Sequence, residues 1–302
     1  MIALRRLPLA LGLLAALAAG APAAADPLLP TRAMTPTLQR SLTVEFRAHR
    51  AAHPEVWRSV ADLSSLRPEV YRATRVGRPA VTRELRSLGP EGLLPMLDAL
   101  AVSGYPRALS AEEREALTVG LLEAVGFLRD RRAAPVLRAA FAQETAPDTL
   151  RAAARGLAAL DDEASWEALQ AATAGDTQRA TVALAALGAS PRPAATPLLL
   201  GRLRDASPAV VSAAARALSE RHGTWAAAAR RVEDPQRPAV AEALVQAYAR
   251  ATDPAAQEAL QTAVLALGAP ESAGVAEAAA RAPGADSARL TRLARMARRA
   301  AQ

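Results

Sequence analysis

Cysteine is absent from the 302 residues, and so is lysine. The first absence removes disulfides, thiolate metal sites and cysteine nucleophiles, so stability has to come from packing. The second means that all 37 basic residues are arginine, which a GC-rich coding bias explains without any functional demand. Aromatics are scarce, with three each of Trp, Tyr and Phe, and there are three histidines. No Gly-rich phosphate loop, Gly-x-Ser-x-Gly elbow or His-Glu-x-x-His zinc motif occurs, and no pattern of carboxylates points to a shared pocket. The common catalytic toolkit is nearly empty, so the sequence alone implies a non-enzymatic role with no cofactor and no metal. A hydrolase or lyase of unrecognised type stays open as a minor alternative. No run alternates apolar and polar positions with β-branched enrichment, so no strands are expected.

At its start the chain carries Arg5 and Arg6, an apolar run from Leu7 to Ala19, and Ala23-Ala24-Ala25 before Asp26. That order reads as a secretory signal over residues 1–25. The run falls short of the ~20 apolar residues that a membrane anchor needs, and Pro8 and Gly12 break it. The expected location is therefore exported, periplasmic or extracellular. Taking 25 from 302 leaves 277 residues, enough for one large repeat domain or two ordinary globular ones. Charge is uneven along them. Residues 26–88 hold 11 Arg against 6 Asp and Glu, residues 89–280 hold 18 against 23, and residues 281–302 hold 6 against 1. A nucleic-acid binder concentrates its basic residues on one face, whereas here the excess sits at the two ends. Nucleic acid is disfavoured, and an acidic partner or an anionic envelope surface stays open.

A repeat organises the rest. Asp205-Ala206-Ser207-Pro208 followed by Ala209 to Leu218 is an acidic turn, a Ser-Pro helix start and a small-residue helix closed by leucine. Near-copies close at Leu88, Val125, Leu157, Leu187, Leu218 and Tyr248, at intervals of 37, 32, 30, 31 and 30 residues, with a weaker copy at Ala279. Leu88-Gly89, Val125-Gly126 and Leu187-Gly188 share a glycine read as the helix terminator. The long first interval holds an insertion around Ser103-Gly104-Tyr105-Pro106, after which Ser110 and Glu113 form a capping box. Between signature helices lies a second helix: Leu93 to Leu97, Ala133 to Leu137 and Ala195 to Leu200 are clear, and Trp166 to Ala172, Trp225 to Val232 and Pro254 to Leu267 are weaker. Upstream, Thr35-Pro36 starts a helix bearing Leu38, Leu42 and Phe46, and His53-Pro54 starts another bearing Val56, Trp57 and Val60. A third short helix is expected from Pro68 to Thr74.

This pattern resembles the HEAT-repeat family, particularly its bacterial HEAT-like branch. Pro197, Asp205, Val210, Ala214, Ala215, Ala217 and Leu218 match the family's repeat residue by residue, and the resemblance covers about residues 78 to 282. It implies an all-α, right-handed α-solenoid of antiparallel helix pairs, a HEAT-like or ARM-like superhelix. The family's members are most often protein-binding scaffolds, with nucleic-acid binders a minority. One feature departs from the pattern: the family's arginine, which bonds to turn aspartates of neighbouring repeats, is Val211 here, and Leu150, Ala180 and Ala241 elsewhere. The Asp-Arg ladder should be missing. The expected layout is residues 26–77 as an amino-terminal cap or degenerate repeats, 78–286 as about six or seven repeats, and 287–302 as a basic capping helix.

In such solenoids the second helices line the concave surface. Residues four apart on their outward faces place Arg86, Glu123, Arg151, Arg155, Arg216 and Gln246 in a stripe across the groove. Two readings stand for it: a solvated face, or an anion-accepting groove suited to arginine's planar fork. Glu45, His49 and His53 stand four apart, yet Pro54 disfavours helix at His53, so two solvated histidines are preferred to a zinc site. His222 sits beside Gly223 at a helix end with no evident catalytic partner. Trp57, Trp166 and Trp225 are expected to seal the outer layer. The last helix, Ser287 to Ala300, is either a cap or a basic amphipathic helix settling on anionic lipid through Arg289, Arg292, Arg295 and Arg299. The leading expectation is an exported scaffold that binds another protein in its concave groove. The alternative is attachment to an anionic envelope surface through the basic ends.

Overall fold

The computed structural model describes residues 27–29, 34–63, 79–105, 108–224 and 234–302, and within them the chain is all-helical, with fifteen α-helices and no strand. The signal segment, the helix expected at Pro68 to Thr74 and the stretch Trp225 to Val232 lie outside the described residues. The first helices are α1 (Pro36–Ala52), α2 (Pro54–Ala61), α3 (Val81–Ser87), α4 (Leu93–Ala101) and α5 (Ala111–Leu128). Then come α6 (Ala134–Gln143), α7 (Pro147–Leu160), α8 (Glu163–Ala172), α9 (Thr177–Gly188) and α10 (Ala195–Arg202). The remainder are α11 (Pro208–His222), α12 (Arg237–Arg250), α13 (Pro254–Leu267), α14 (Glu271–Ala280) and α15 (Ser287–Ala300).

Local sequence sets these boundaries. Thr35 caps α1 by accepting the Leu38 N–H at 3.3 Å, with Pro36 at the first helical position. Ser110 accepts the Glu113 N–H at 3.2 Å while Glu113 Oε2 accepts the Ser110 N–H at 2.9 Å, the reciprocal capping box. Asp162, Asp176, Asp253 and Asp286 cap α8, α9, α13 and α15 in the same way.

The helices form an α-solenoid of two layers. In one, here the B layer, α3, α5, α7, α9, α11, α13 and α15 pack each on the next; in the other, the A layer, α4, α6, α8, α10, α12 and α14 pack against them. Helices α1 and α2 lie on α4. A continuous core runs between the layers, with Leu121, Leu150, Leu184, Leu187, Leu218, Leu260 and Leu267 among its fully buried side chains. Each such leucine contributes about 1.5–3 kcal/mol by leaving water.

Two features of the expected register change. The sequence interval puts Arg237–Arg250 in the signature layer and Pro254–Leu267 in the other. The structure reverses them: α13 stacks on α11 in the B layer, and α12 lies in the A layer against α13 and α14. The B-layer spacing thus jumps to the 49 positions between Leu218 and Leu267. The same shift makes Glu271–Ala280 an A-layer helix and α15 its B-layer partner. The second change concerns glycine. Gly89 has φ +64° and ends α3 as expected, but Gly126 lies inside α5, two residues before its end. A Cβ on Gly126 would stand 2.6 Å from Gly156 Cα, and one on Gly188 would stand 2.9 Å from Ala217 Cα. These residues let neighbouring B helices cross backbone to backbone.

Val211 is buried, as an apolar residue at the ladder position must be. Arginine still links the repeats, by a different route. Arg179 and Arg289 occupy the third position of α9 and α15, each with its N–H on the capping Asp176 or Asp286 at 3.0 Å. From there Arg179 donates to the carbonyls of Ala142 and Glu144 at 2.9 Å, and Arg289 to those of Ala251 and Ala249 at 3.0 Å. Each guanidinium therefore satisfies orphan carbonyls at the end of an A-layer helix, α6 or α12. Arg237 donates likewise to the Leu267 carbonyl at the end of the B-layer helix α13, at 3.0 Å. Arg192 reaches back to Asp161 at 2.7 Å and Glu163 at 2.8 Å, joining the turn after α9 to the turn after α7.

Candidate functional site

The B layer's exposed face carries the site. Helix α3 contributes Arg86, α5 contributes Glu123 and Phe127, and α7 contributes Arg155; together they border a cavity of about 140 Å³. Its floor is formed where Gly126 and Gly156 meet. The glycine crossing draws α5 and α7 close enough for side chains from three successive helices to converge. Phe127 is 55% exposed, and with Val44 it is one of two large apolar side chains left in water among the described residues. The Arg86 guanidinium stacks on its ring with its central carbon 3.4 Å from the centroid, an arrangement worth about 0.5–1 kcal/mol at an exposed site. Beside them Arg155 lies 3.8 Å from Glu123. Thr82 also lines the cavity, and its buried hydroxyl has no hydrogen-bond partner.

Of the six residues that the sequence places in one stripe, the structure brings together Arg86, Glu123 and Arg155. Arg151 is one turn away on α7, held by Asp148 and by the Pro147 carbonyl at 3.2 Å. Arg216 is exposed on α11, farther along the same layer. Gln246 lies on α12 in the A layer, hydrogen-bonded to Glu242 at 2.9 Å, and so takes no part in the B-layer face. The sequence reading misses Phe127. The available signal for Phe127 was an aromatic directly after the crossing glycine, in a chain with so few aromatics.

At the amino-terminal end, Glu45 is turned to Arg132 at 3.4 Å, and the Trp57 indole N–H donates to His49 Nδ1 at 3.1 Å. No group of three metal-ligating side chains occurs among the described residues. Burial, with the neighbouring His53 and Arg132 adding to it, lowers the His49 pKa. Asp98 on α4 is buried and accepts from Arg50 at 2.8 Å and from Ser103 at 2.9 Å. Burial dominates there and raises the Asp98 pKa. Asp130 moves the other way, because Arg132 hydrogen-bonds its carboxylate.

His222 does have partners. Its Nε2 lies 2.8 Å from Thr196 Oγ1, its Nδ1 contacts Asp234, and Arg221 Nε donates to the same Thr196 oxygen at 2.9 Å. The order Asp-His-Thr is that of a proton relay. Thr196 is buried, however, and its oxygen is engaged by both neighbours, so the group ties α10 to the end of α11 and to the turn before α12. On α15, Leu290, Leu293, Ala294 and Ala297 are buried against the array, and Arg289 is drawn inward over the Tyr248 ring at 5.0 Å. Arg298 pairs with Glu277, while Arg292, Arg295 and Arg299 face water.

No protein-family model matches the chain, and no curated protein matches it. Solved structures are similar to it, among them two that follow. One is the complex of CpcE and CpcF of phycocyanin lyase from Nostoc sp. PCC7120, with 21% identity over 78% of this chain and 88% of that chain, at a TM-score of 0.39. The other is human deoxyhypusine hydroxylase in complex with glycerol, with 19% identity over 86% of this chain and 99% of that chain, at a TM-score of 0.32. Both are HEAT-like helical-repeat proteins, in keeping with the all-helical architecture described above. The expectation of a non-enzymatic chain is corrected by them. Both names are those of enzymes, a lyase and a hydroxylase, so neither a helical-repeat architecture nor the lack of common catalytic motifs establishes a role without catalysis.

Proposed function

We propose that this chain is a helical-repeat scaffold that holds another protein on the exposed face of its B layer, anchored at Phe127, Arg86 and Arg155. The observation that carries the reading is the exposed Phe127 ring under the Arg86 guanidinium beside a cavity. Aromatic and arginine side chains supply most of the binding energy at protein interfaces, where a partner's side chains exclude water from around them. A partner with an apolar residue for the Phe127 ring and a carboxylate for Arg155 suits the patch, since arginine's fork accepts carboxylates in bidentate geometry. Co-purification of the partner with wild-type chain and with Phe127→Ala/Arg155→Glu tests this. The double variant should lose about tenfold or more in affinity with unchanged helical content, as removal of one hot-spot residue costs about 2 kcal/mol. Undiminished capture would overturn the reading.

We also propose that the scaffold works after export. Support comes from the basic start, the apolar run and the small residues before Asp26. Amino-terminal sequencing of the mature chain should begin at Asp26. A second reading, attachment to an anionic surface, is supported by the exposed Arg292, Arg295 and Arg299 on one face of α15. With its leucines buried in the array, that helix would attach by charge alone and release as salt rises.

A further inference from the structure

The register shift after α11 leaves two adjoining cavities where the A-layer helices α10 and α12 and the turns that follow them face one another. One, of about 260 Å³, lies between the turn before α11 and the turn before α13. The other, of about 300 Å³, lies between α10 and α12. They share Leu203, Arg204 and Arg250. We propose that this double cleft is a binding site for a small amphiphilic oxyanion, a carboxylate or phosphate carried on a short apolar chain, separate from the B-layer face.

The charges that border the cleft are unequally committed. Asp205 accepts the Ser207 N–H at 2.9 Å and faces Arg202 at 3.4 Å, and Asp253 accepts the Ala256 N–H at 2.8 Å as the cap of α13. Both carboxylates are thus occupied. Arg204 and Arg250 are exposed, and neither guanidinium has a hydrogen-bond or ion-pair partner among the described residues. Among the lining charges two guanidiniums stand with two carboxylates, and it is the guanidiniums that lack a partner among the described residues. Other arginines of this region are spent on the fold: Arg237 on the Leu267 carbonyl, and Arg289 on those of Ala249 and Ala251. The two that line both cavities are not. The cavity between α10 and α12 has mostly apolar walls, with Leu200, Leu203 and Ala243 beside it, whereas the first is more polar at its surface and has Leu203, Val211 and Ala247 buried beneath it. An anion placed between two planar guanidiniums receives charge-assisted hydrogen bonds from both, and its apolar chain then covers the wall. The volumes sit at the small end of the range for ligand pockets, which selects a compact molecule.

Calorimetric titration of the full chain with octyl phosphate, with uncharged octanol as control, tests the site. Wild-type protein should bind octyl phosphate and not octanol. Arg204→Gln and Arg250→Gln should each weaken binding about tenfold, the loss of one hydrogen bond to a charged group. Both side chains are exposed and have no partner among the described residues, so helical content should not change. Gly201 offers a second variant that keeps both arginines: it lines the α10–α12 cavity, and a Cβ there meets nothing within 4 Å. Gly201→Leu fills that chamber from a helical position where leucine is favoured over glycine, and it should also weaken octyl phosphate binding. No binding by folded wild-type protein, equal binding of octanol, or unchanged affinity in the Arg204→Gln/Arg250→Gln double variant would each overturn the proposal.

Discussion

From α3 to α11 and from α11 to α15 the chain builds the same two layers, but it joins them differently. In the first part, B helices recur about every thirty residues and cross at small residues: Gly120 against Val81, Gly126 against Gly156, Gly188 against Ala217. Close crossings leave little room between helices, so distinctive side chains are displayed on the face, as Arg86, Phe127 and Arg155 are. In the second part the spacing lengthens to 49 positions, and clefts open between A-layer helices and turns, bordered by Arg204 and Arg250.

The largest effect that would break this contrast is loss of a glycine crossing. Gly126→Val places side-chain atoms where Gly156 backbone now stands, 2.6 Å from the new Cβ. Neither backbone can yield without moving a helix, so stability should fall by about 3 kcal/mol, measured by urea denaturation. Gly274→Val, on the exposed face of α14 in the other part, where a Cβ meets nothing within 4 Å, should stay within about 0.5 kcal/mol. Next in size is the arginine linkage. Arg289→Ala frees the carbonyls of Ala249 and Ala251 and should cost about 2 kcal/mol. Arg216→Ala, at an exposed B-layer position, should cost about 0.5 kcal/mol or less.

The smallest expected effect is a pH dependence at the amino-terminal end. The Asp98 carboxyl has its pKa raised by burial, so the protonated form is favoured in the fold. Its contribution is fully present below the unfolded value of 3.8 and is lost as pH rises through the folded pKa. His49 is lowered from 6.5, so its contribution is present above 6.5 and is lost as pH falls through the folded value. Asp98→Asn should therefore raise stability at neutral pH relative to acid pH, seen as a steeper fall in stability on acidification, in the direction that the lowered Asp130 carboxyl already sets. A profile unchanged by Asp98→Asn would place the acid-side dependence elsewhere, with Asp130 the next group to examine.

Much of the fold was legible because its signals are local. The Ser110–Glu113 capping box, the Thr35 cap with Pro36 and the small-residue helices closed by Leu157, Leu187 and Leu218 all follow from spacing and side-chain chemistry. The layer exchange after Leu218 was not read, because interval counting assumes one helix pair per thirty residues. The Leu267-Gly268 closure, the same sequence as Leu187-Gly188, was the better marker and argued for α13. The role of Gly126 was hidden for a related reason: a glycine near a helix end looks like a terminator until the neighbouring backbone is seen. Arg86, Glu123 and Arg155 follow from helical periodicity, whereas Phe127, four residues after Glu123 and still inside α5, lies beyond the Val125-Gly126 closure that the sequence pattern takes as the helix end. Gln246 inherited the register error.

The claim that matters most is that the B-layer face holds a protein partner. A photo-crosslinking residue placed at Phe127, and separately at Gln246 in the opposite layer, tests it in the native cell. The account predicts a discrete adduct with one partner from position 127 and none from position 246. Equal adducts from both positions, or an adduct from 246 alone, would contradict it.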